Sequence, residues 1–375
     1  MNSRTPAALT FLLSLSGVVS AWGSPTVTAR PLLLDFAGTP SKAELLLPVS
    51  PASAPLVLLI QGTGQEDMDG SFAAFGQGVV KGSLGTLAHT LAAQGYAIMR
   101  FDKRFAGAAL TSQGAAAANT AYGKLTMRDL LSDARTALNA AVMQPGVDAS
   151  RVYVYGWSEG SVLAATLALD VKARGLIVQG PVVNDYASIF ARQFERVGVP
   201  YLTTYAQDGK LGLQGLMASF QGNGSMLAKM QGQLMFDRTS TLEHPVLSTY
   251  LDGNHDGMID LKTEALPTIT GYYRAAVPQE PMYSPATSLP TLGALASQLQ
   301  LPVLILQGEN DANIDPKDAQ ALDTALTKAG NTDHTLKVYP GLGHSLGKAA
   351  SVTQDDFAPM EDGPMNDVVA WLKTH

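Results

Sequence analysis

Apolar residues along this chain fall into short runs, separated by longer segments in which they recur at helical spacing. Pro31 to Phe36 and Ala43 to Val49 are apolar runs split by Gly38-Thr39-Pro40, the pattern of an antiparallel pair at a sheet edge. Leu56 to Ile60 reads as a strand, followed by a Gly-rich loop, a helix over Leu84 to Ala93 and a strand over Tyr96 to Phe101. Leu130, Leu131, Ala134, Leu138 and Ala141 mark one face of a helix over Met127 to Val142. Val152 to Tyr155 predicts the next strand, then come a helix and a strand over Gly175 to Gln179. Pro302 to Gln307 and Thr335 to Tyr339 predict two more, with a helix between them that opens at Pro316 and stops at Gly330. Strands alternating with helices predict an α/β fold whose parallel sheet is covered on both faces.

This rhythm breaks between Tyr186 and Leu292, a span rich in glycine, aromatic residues and methionine with no series of strands. It predicts a mostly helical cap, residues 186–292, inserted into a core made of residues 22–185 and 293–375. Such an insertion would lie over the carboxyl ends of the strands, where open sheets bind ligands. Phe190, Phe194, Tyr201, Tyr205, Met217, Phe220, Met226, Met230, Met235 and Phe236 would fill the cap's own core singly and suggest an apolar substrate pocket collectively.

The strand at Val152 runs into Gly156-Trp157-Ser158-Glu159-Gly160 and then into a helix-forming run. A strand, a tight turn and a helix in that order push a serine hydroxyl into a strained, exposed position above a sheet, so Ser158 is the candidate nucleophile. Gly343-His344-Ser345-Leu346-Gly347 fits the same five-residue pattern. Residues 346–375 alone would then have to supply an acid, a histidine and their strands, whereas the partners follow the serine in the order acid, then His. The second match therefore reads as the loop that delivers His344 as the base.

Asp311, just past a buried-type strand in Gly308-Glu309-Asn310-Asp311, is the candidate acid, with Glu309 and Asp315 near enough to compete. A neutral serine needs a base for its proton and an acid that orients that base, and Ser158, His344 and Asp311 supply all three. The amides of Glu159 and of Thr63, in Gln61-Gly62-Thr63-Gly64, are the candidate oxyanion donors. A phosphate-binding reading of that loop fails for want of a G-x-x-x-x-G-K-[ST] pattern.

With Gln61-Gly62-Thr63-Gly64-Gln65-Glu66-Asp67 and Phe101-Asp102-Lys103-Arg104, these motifs resemble the α/β-hydrolase superfamily, in its bacterial serine esterase and dienelactone-hydrolase-like branch. The resemblance implies an eight-stranded, mostly parallel sheet and hydrolysis through an acyl-enzyme. Asp102 and Arg104 resemble a motif that orders the loop beside the active site. Two departures stand out: dienelactone hydrolases use cysteine, and Gln61 replaces the usual histidine before the oxyanion glycine. The implied enzyme is a carboxylesterase for small-molecule esters of apolar acyl groups, with no organic cofactor. A serine peptidase of the prolyl-oligopeptidase type shares this order of residues, although residues 22–55 leave no room for its propeller. A calcium-dependent binding protein on a hydrolase scaffold is the reading from another class.

Asp252, Asn254, Asp256 and Asp260, with Gly257 between them, match the oxygen positions of a calcium loop, and Thr263 stands where a bidentate acid belongs. A structural Ca2+ site and a solvated Asp/Asn turn both fit. The chain has no cysteine, which excludes disulfides, a thiolate nucleophile and cysteine-held metals. A net charge of -7 without any Lys/Arg run provides no footprint for nucleic acid.

Arg4, the apolar stretch Ala7 to Val19 and the small-x-small pattern Val19-Ser20-Ala21 make residues 1–21 a predicted signal peptide, the rival being an uncleaved anchor. A bacterial protein exported to the periplasm or medium, without a stable membrane anchor, is the expectation. Mass spectrometry of the exported protein should find Trp22 at the amino terminus; a retained Met1 would refute cleavage.

Overall fold

The computed structural model describes residues 27–74 and 78–375. The predicted leader lies outside them. Eight strands form the main sheet: β1 (Val27–Phe36), β2 (Thr39–Pro48), β3 (Ala54–Ile60), β4 (Ala97–Phe101), β5 (Val147–Trp157), β6 (Gly175–Gln179), β7 (Val303–Gly308) and β8 (His334–Tyr339). Their spatial order is β1-β2-β4-β3-β5-β6-β7-β8. The strands from β4 to β8 in that order run parallel, and β2 is antiparallel to both β1 and β4.

Period-two alternation divides the central strands between two cores. Leu56, Leu58 and Ile60 of β3 join one cluster with α2 (Met127–Val142), α3 (Gly160–Val171) and α4 (Pro316–Lys328). Val57 and Leu59 join the other, with α1 (Leu84–Ala93) and α5 (Asp362–Thr374). Burying each of these leucines and isoleucines contributes roughly 1.5–3 kcal/mol. Thr126 caps α2 in a reciprocal box with Asp129, and the buried Arg104 guanidinium grips Asp133 of α2 through two hydrogen bonds of 2.8 and 2.6 Å.

Some boundaries differ from those expected. The turn of the first hairpin is Ala37-Gly38, at φ 51° and 87°, so Thr39 and Pro40 already belong to β2. Pro40 is tolerated there because β4 pairs with β2 only from Ala43 onward, where a missing N–H would matter. Strand β5 begins five residues early, through the polar stretch Asp148 to Arg151. Sequence reading assigned no element to α5, whose Met365, Val368, Val369 and Leu372 cover the sheet.

Between β6 and β7 the chain leaves the sheet. Short helices (Tyr186–Gln193, Val199–Thr203, Leu213–Ser219, Met226–Gln233 and Leu266–Ala276) enclose a separate apolar cluster containing Phe194, Tyr201, Leu216, Met235 and Ile269. Two residues on each side, Lys210–Leu211 and Ile259–Asp260, form a small antiparallel pair. The ends of the insertion behave differently: Tyr186, Ile189, Val277 and Leu292 pack into the main core. No helix among the described residues is long and apolar enough to cross a membrane.

Candidate active site

Strand β5 and helix α3 approach so closely that a Cβ on Gly156 would strike the backbone of Gly160, and one on Gly160 the carbonyls of Gln61 and Ile60. The turn between them holds Ser158 at φ 55°, a left-handed conformation that costs a non-glycine residue free energy and recurs at functional sites. The Ser158 amide donates to the carbonyl of Gln179 at the end of β6, 2.8 Å away.

Asp311, past the end of β7, accepts from His344 Nδ1 at 2.8 Å, and both side chains are buried. The same Asp311 oxygen accepts from Gln307 Nε2 at 2.9 Å, while the other accepts from the Asn313 and Ile314 amides, each at 2.8 Å. The two competitors are engaged elsewhere. Asp315 caps α4 through the Lys317 amide, and the exposed Glu309 reaches the Gly341 amide at 3.4 Å.

The loop carrying His344 closes on itself through a bond from the Gly343 amide to the Gly347 carbonyl. Ser345 donates its hydroxyl to the Ala358 carbonyl at 2.6 Å. No helix follows it, so the second G-x-S-x-G match is a loop and not an elbow. Trp157 Nε1 and Gln179 Nε2 both donate to the His344 carbonyl, and Asp355 accepts from the His344 amide at 2.8 Å. Gly180, at φ 56°, leaves room for the imidazole, since a Cβ there would lie 2.9 Å from His344 Cε1. Burial pulls the His344 pKa down, but the Asp311 carboxylate, its hydrogen bond and Asp355 outweigh that and hold it above the usual histidine value.

Ser158 and His344 line one cavity of about 130 Å³, together with Gly62, Thr63, Glu66, Phe72, Trp157, Asn313 and Phe357. The structure thus brings together Ser158, Asp311, His344 and the Gln61–Gly64 loop. Gly62 lies over the nucleophile, a Cβ there falling 3.4 Å from Ser158 Cβ. Among the described residues, neither the Thr63 nor the Glu159 amide donates to a protein acceptor.

The cap aromatics and methionines expected to shape a substrate pocket do not line this cavity. Several pack the cap itself, as in the Phe220–Phe236 stack at 5.7 Å and the buried Phe194, Tyr201 and Met235, while Phe190 packs against the main core and Met217 and Met230 are exposed. Its aromatic wall comes from Phe72, Trp157 and Phe357, whose rings meet His344 and each other edge-on or tilted.

Sequence reasoning also missed Glu66, Gln179, Asp355 and Lys103. Glu66 and Lys103 sat inside quoted motifs, and burial after a strand end was the unused signal. Glu66 accepts from the Gly62 amide at 2.9 Å, and burial raises its pKa to about 8 despite the nearby Lys103.

Among the described residues, no three His, Cys, Asp or Glu side chains are grouped so as to hold a metal ion, those of the loop at residues 252–260 included. The side-chain oxygens of Asp252, Asn254 and Asp260 accept from the loop's own amides. Asp252 accepts from Asp256 and Gly257, Asn254 from Asp256, and Asp260 from Lys262 and Thr263. Lys210 supplies a positive charge at Asp256, 2.5 Å away.

The family model described as serine aminopeptidase, S33, matches residues 76–244 and 274–348, passing over the segment that holds this Asp-rich loop. No curated protein matches the chain. Among solved structures, Est1E from Butyrivibrio proteoclasticus is 16% identical with a TM-score of 0.44, over 92% of this chain and 96% of that one. A putative dipeptidyl aminopeptidase IV from Bacteroides ovatus is 14% identical with a TM-score of 0.47, over 94% of this chain and 36% of that one. The acylaminoacyl peptidase of Pyrococcus horikoshii is 11% identical with a TM-score of 0.44, over 88% and 39%.

Glu66 binds a proton in the fold between its ordinary pKa of 4.5 and about 8, so raising the pH through that window weakens the native state. The full shift corresponds to something on the order of 5 kcal/mol. Glu66→Gln keeps an acceptor for Gly62 and cannot ionise. Urea unfolding should find it more stable than wild type at pH 8 and equal to it near pH 4; parallel pH profiles would refute the burial effect.

Proposed function

Because this chain belongs to the serine aminopeptidase S33 family of α/β hydrolases, and is thus a serine hydrolase, we propose that it cleaves carboxylic esters of short apolar acyl groups through an acyl-enzyme. The observation that carries this reading is the buried 2.8 Å pair of Asp311 and His344, sharing a cavity wall with a left-handed Ser158.

In the proposed cycle, Ser158 Oγ attacks the ester carbonyl as His344 Nε2 takes its proton. Asp311 fixes the imidazole tautomer through Nδ1 and stabilises the imidazolium. The Thr63 and Glu159 amides receive the oxyanion, and His344 returns the proton to the departing alkoxide. Water then repeats the sequence on the acyl-enzyme. The raised His344 pKa places the acid limb of kcat/KM above the usual histidine value, since the base works when neutral.

The ester preference is supported by the cavity's lining. Phe72, Trp157 and Phe357 offer an apolar wall of limited volume, and the unpartnered Nδ2 of Asn313 is a donor for an acyl or alkoxy oxygen. The family's description favours a second reading, an aminopeptidase. A free α-amino group would need a carboxylate there, and Glu66, the one carboxyl lining the cavity among the described residues, stays protonated to about pH 8.

A fluorophosphonate adduct should map to Ser158 and vanish in Ser158→Ala, and Asp311→Asn should lower kcat by ~10⁴. Adducts at Ser345 would overturn the assignment. p-Nitrophenyl acetate and butyrate should exceed the palmitate in kcat/KM by at least about tenfold. Faster turnover of aminoacyl p-nitroanilides would select the peptidase.

A further inference from the structure

Immediately behind the cavity lies a set of buried charges that the proposed cycle does not use. Lys103, just past the end of β4, is 3% exposed and donates from Nζ to the carbonyl oxygen of Gly62. The same ammonium lies 3.3 Å from Glu159 Oε1 and 3.4 Å from the Tyr122 hydroxyl. Glu159 Oε2 accepts from Tyr283 at 3.1 Å, and Tyr283 stacks on Tyr186 with ring centroids 4.2 Å apart. The Lys103 amide is tied to the Glu66 carbonyl, so strand end and loop are joined at both backbone and side chain.

The carbonyl of Gly62 and the N–H of Thr63 belong to one peptide group. A cation bound at the carbonyl end draws electron density from the N–H end and makes it a stronger donor, by roughly 10–30% per linked bond in condensed-phase estimates. The carboxylate that holds this cation belongs to Glu159, whose own amide is the other assigned donor. We propose that Lys103 is a positioning residue for the oxyanion hole, polarising the Gly62–Thr63 peptide and, through Glu159, locking both donors into one rigid unit. This rests on the Ser158 reading given above and deepens it.

Three features support the assignment. Burying an ammonium costs several kcal/mol, so a lysine at a fully enclosed position is costly as mere packing. Although burial works against the charge, Tyr122 and the Glu159 carboxylate raise the Lys103 pKa above the ordinary lysine value, which keeps it cationic throughout the working range. The preceding peptide, Gln61–Gly62, is held as well, since the Gly62 N–H donates to Glu66 at 2.9 Å, so Gly62 is tied on both sides beside the nucleophile. Preorganised donors of this kind act on the transition state, where negative charge has developed on oxygen, more than on the bound ester.

Lys103→Met and Lys103→Gln should therefore lower kcat for p-nitrophenyl butyrate by ~10–100-fold, a fraction of the 100- to 1,000-fold lost with a whole donor, and change KM by less than about threefold. Affinity for a trifluoromethyl ketone, which forms a tetrahedral adduct on the serine, should fall in parallel, and Lys103→Arg should recover part of both. Active-site titration with a fluorophosphonate counts folded enzyme, so kcat refers to competent sites even if a variant folds poorly. Full kcat per titrated site in both neutral variants, or equal losses in kcat and ground-state binding, overturns the inference while leaving the hydrolase reading intact. Failure of wild-type Ser158 to react would instead overturn that reading.

Discussion

The site depends on the close approach of α3 to strands β3 and β5. Because Gly156 and Gly160 have no Cβ, the helix can start directly against the Ile60 and Gln61 carbonyls, and the intervening serine sits at a left-handed φ of 55°. The strain at Ser158 is held by the sheet on either side, through the Gln179 carbonyl on β6 and the Gln61–Gly64 loop leaving β3. The hydroxyl is thereby presented at the carboxyl edge, where every loop from a parallel strand converges.

Around that point the protein buries several carboxyl groups and treats each differently. Asp311 has all of its hydrogen-bonding capacity matched, two amides on one oxygen and Gln307 with His344 on the other, which fixes the imidazole's direction. Asp355 braces the loops that carry these two, accepting from the Ala312 and His344 amides. Burial lifts its pKa above the usual carboxylate range, as does the neighbouring Asp311. Glu159 is paired with an ammonium, whereas Glu66 is held protonated to about pH 8. The same desolvation thus yields an orienting acid, a brace, an ion pair and a neutral acceptor, according to the partners that the backbone brings within reach.

The insertion between β6 and β7 contributes less to the cavity wall than its composition suggests. Many of its rings and thioethers are consumed in a core of its own, which a segment of short helices needs in order to stay folded, and others, such as Tyr186 and Phe190, pack into the main core. Its contact with the chemistry runs through its edges: Arg196 donates to the Asp311 carbonyl, Gln193 to that of Asn313, and Tyr283 to Glu159.

Local pattern determined the strands, the flanking helices other than α5, and the elbow, because each rests on interactions within one segment: alternation, helical spacing, a cap, a glycine that permits a tight turn. Chain order sufficed to prefer Ser158 over Ser345 and to nominate Asp311 and His344. Tertiary structure decided what depends on residues far apart in the chain. It set Asp311 against His344 and Asp315 against α4, and it sent the cap aromatics inward while placing Phe72 and Phe357 at the cavity. Lys103 and Glu66 lie 37 residues apart in the sequence, each past the end of a strand, and no local pattern pairs one with the other. Their meeting under Gly62 follows from the pairing of β3 with β4, since charge becomes chemically informative only once the fold has removed the water around it.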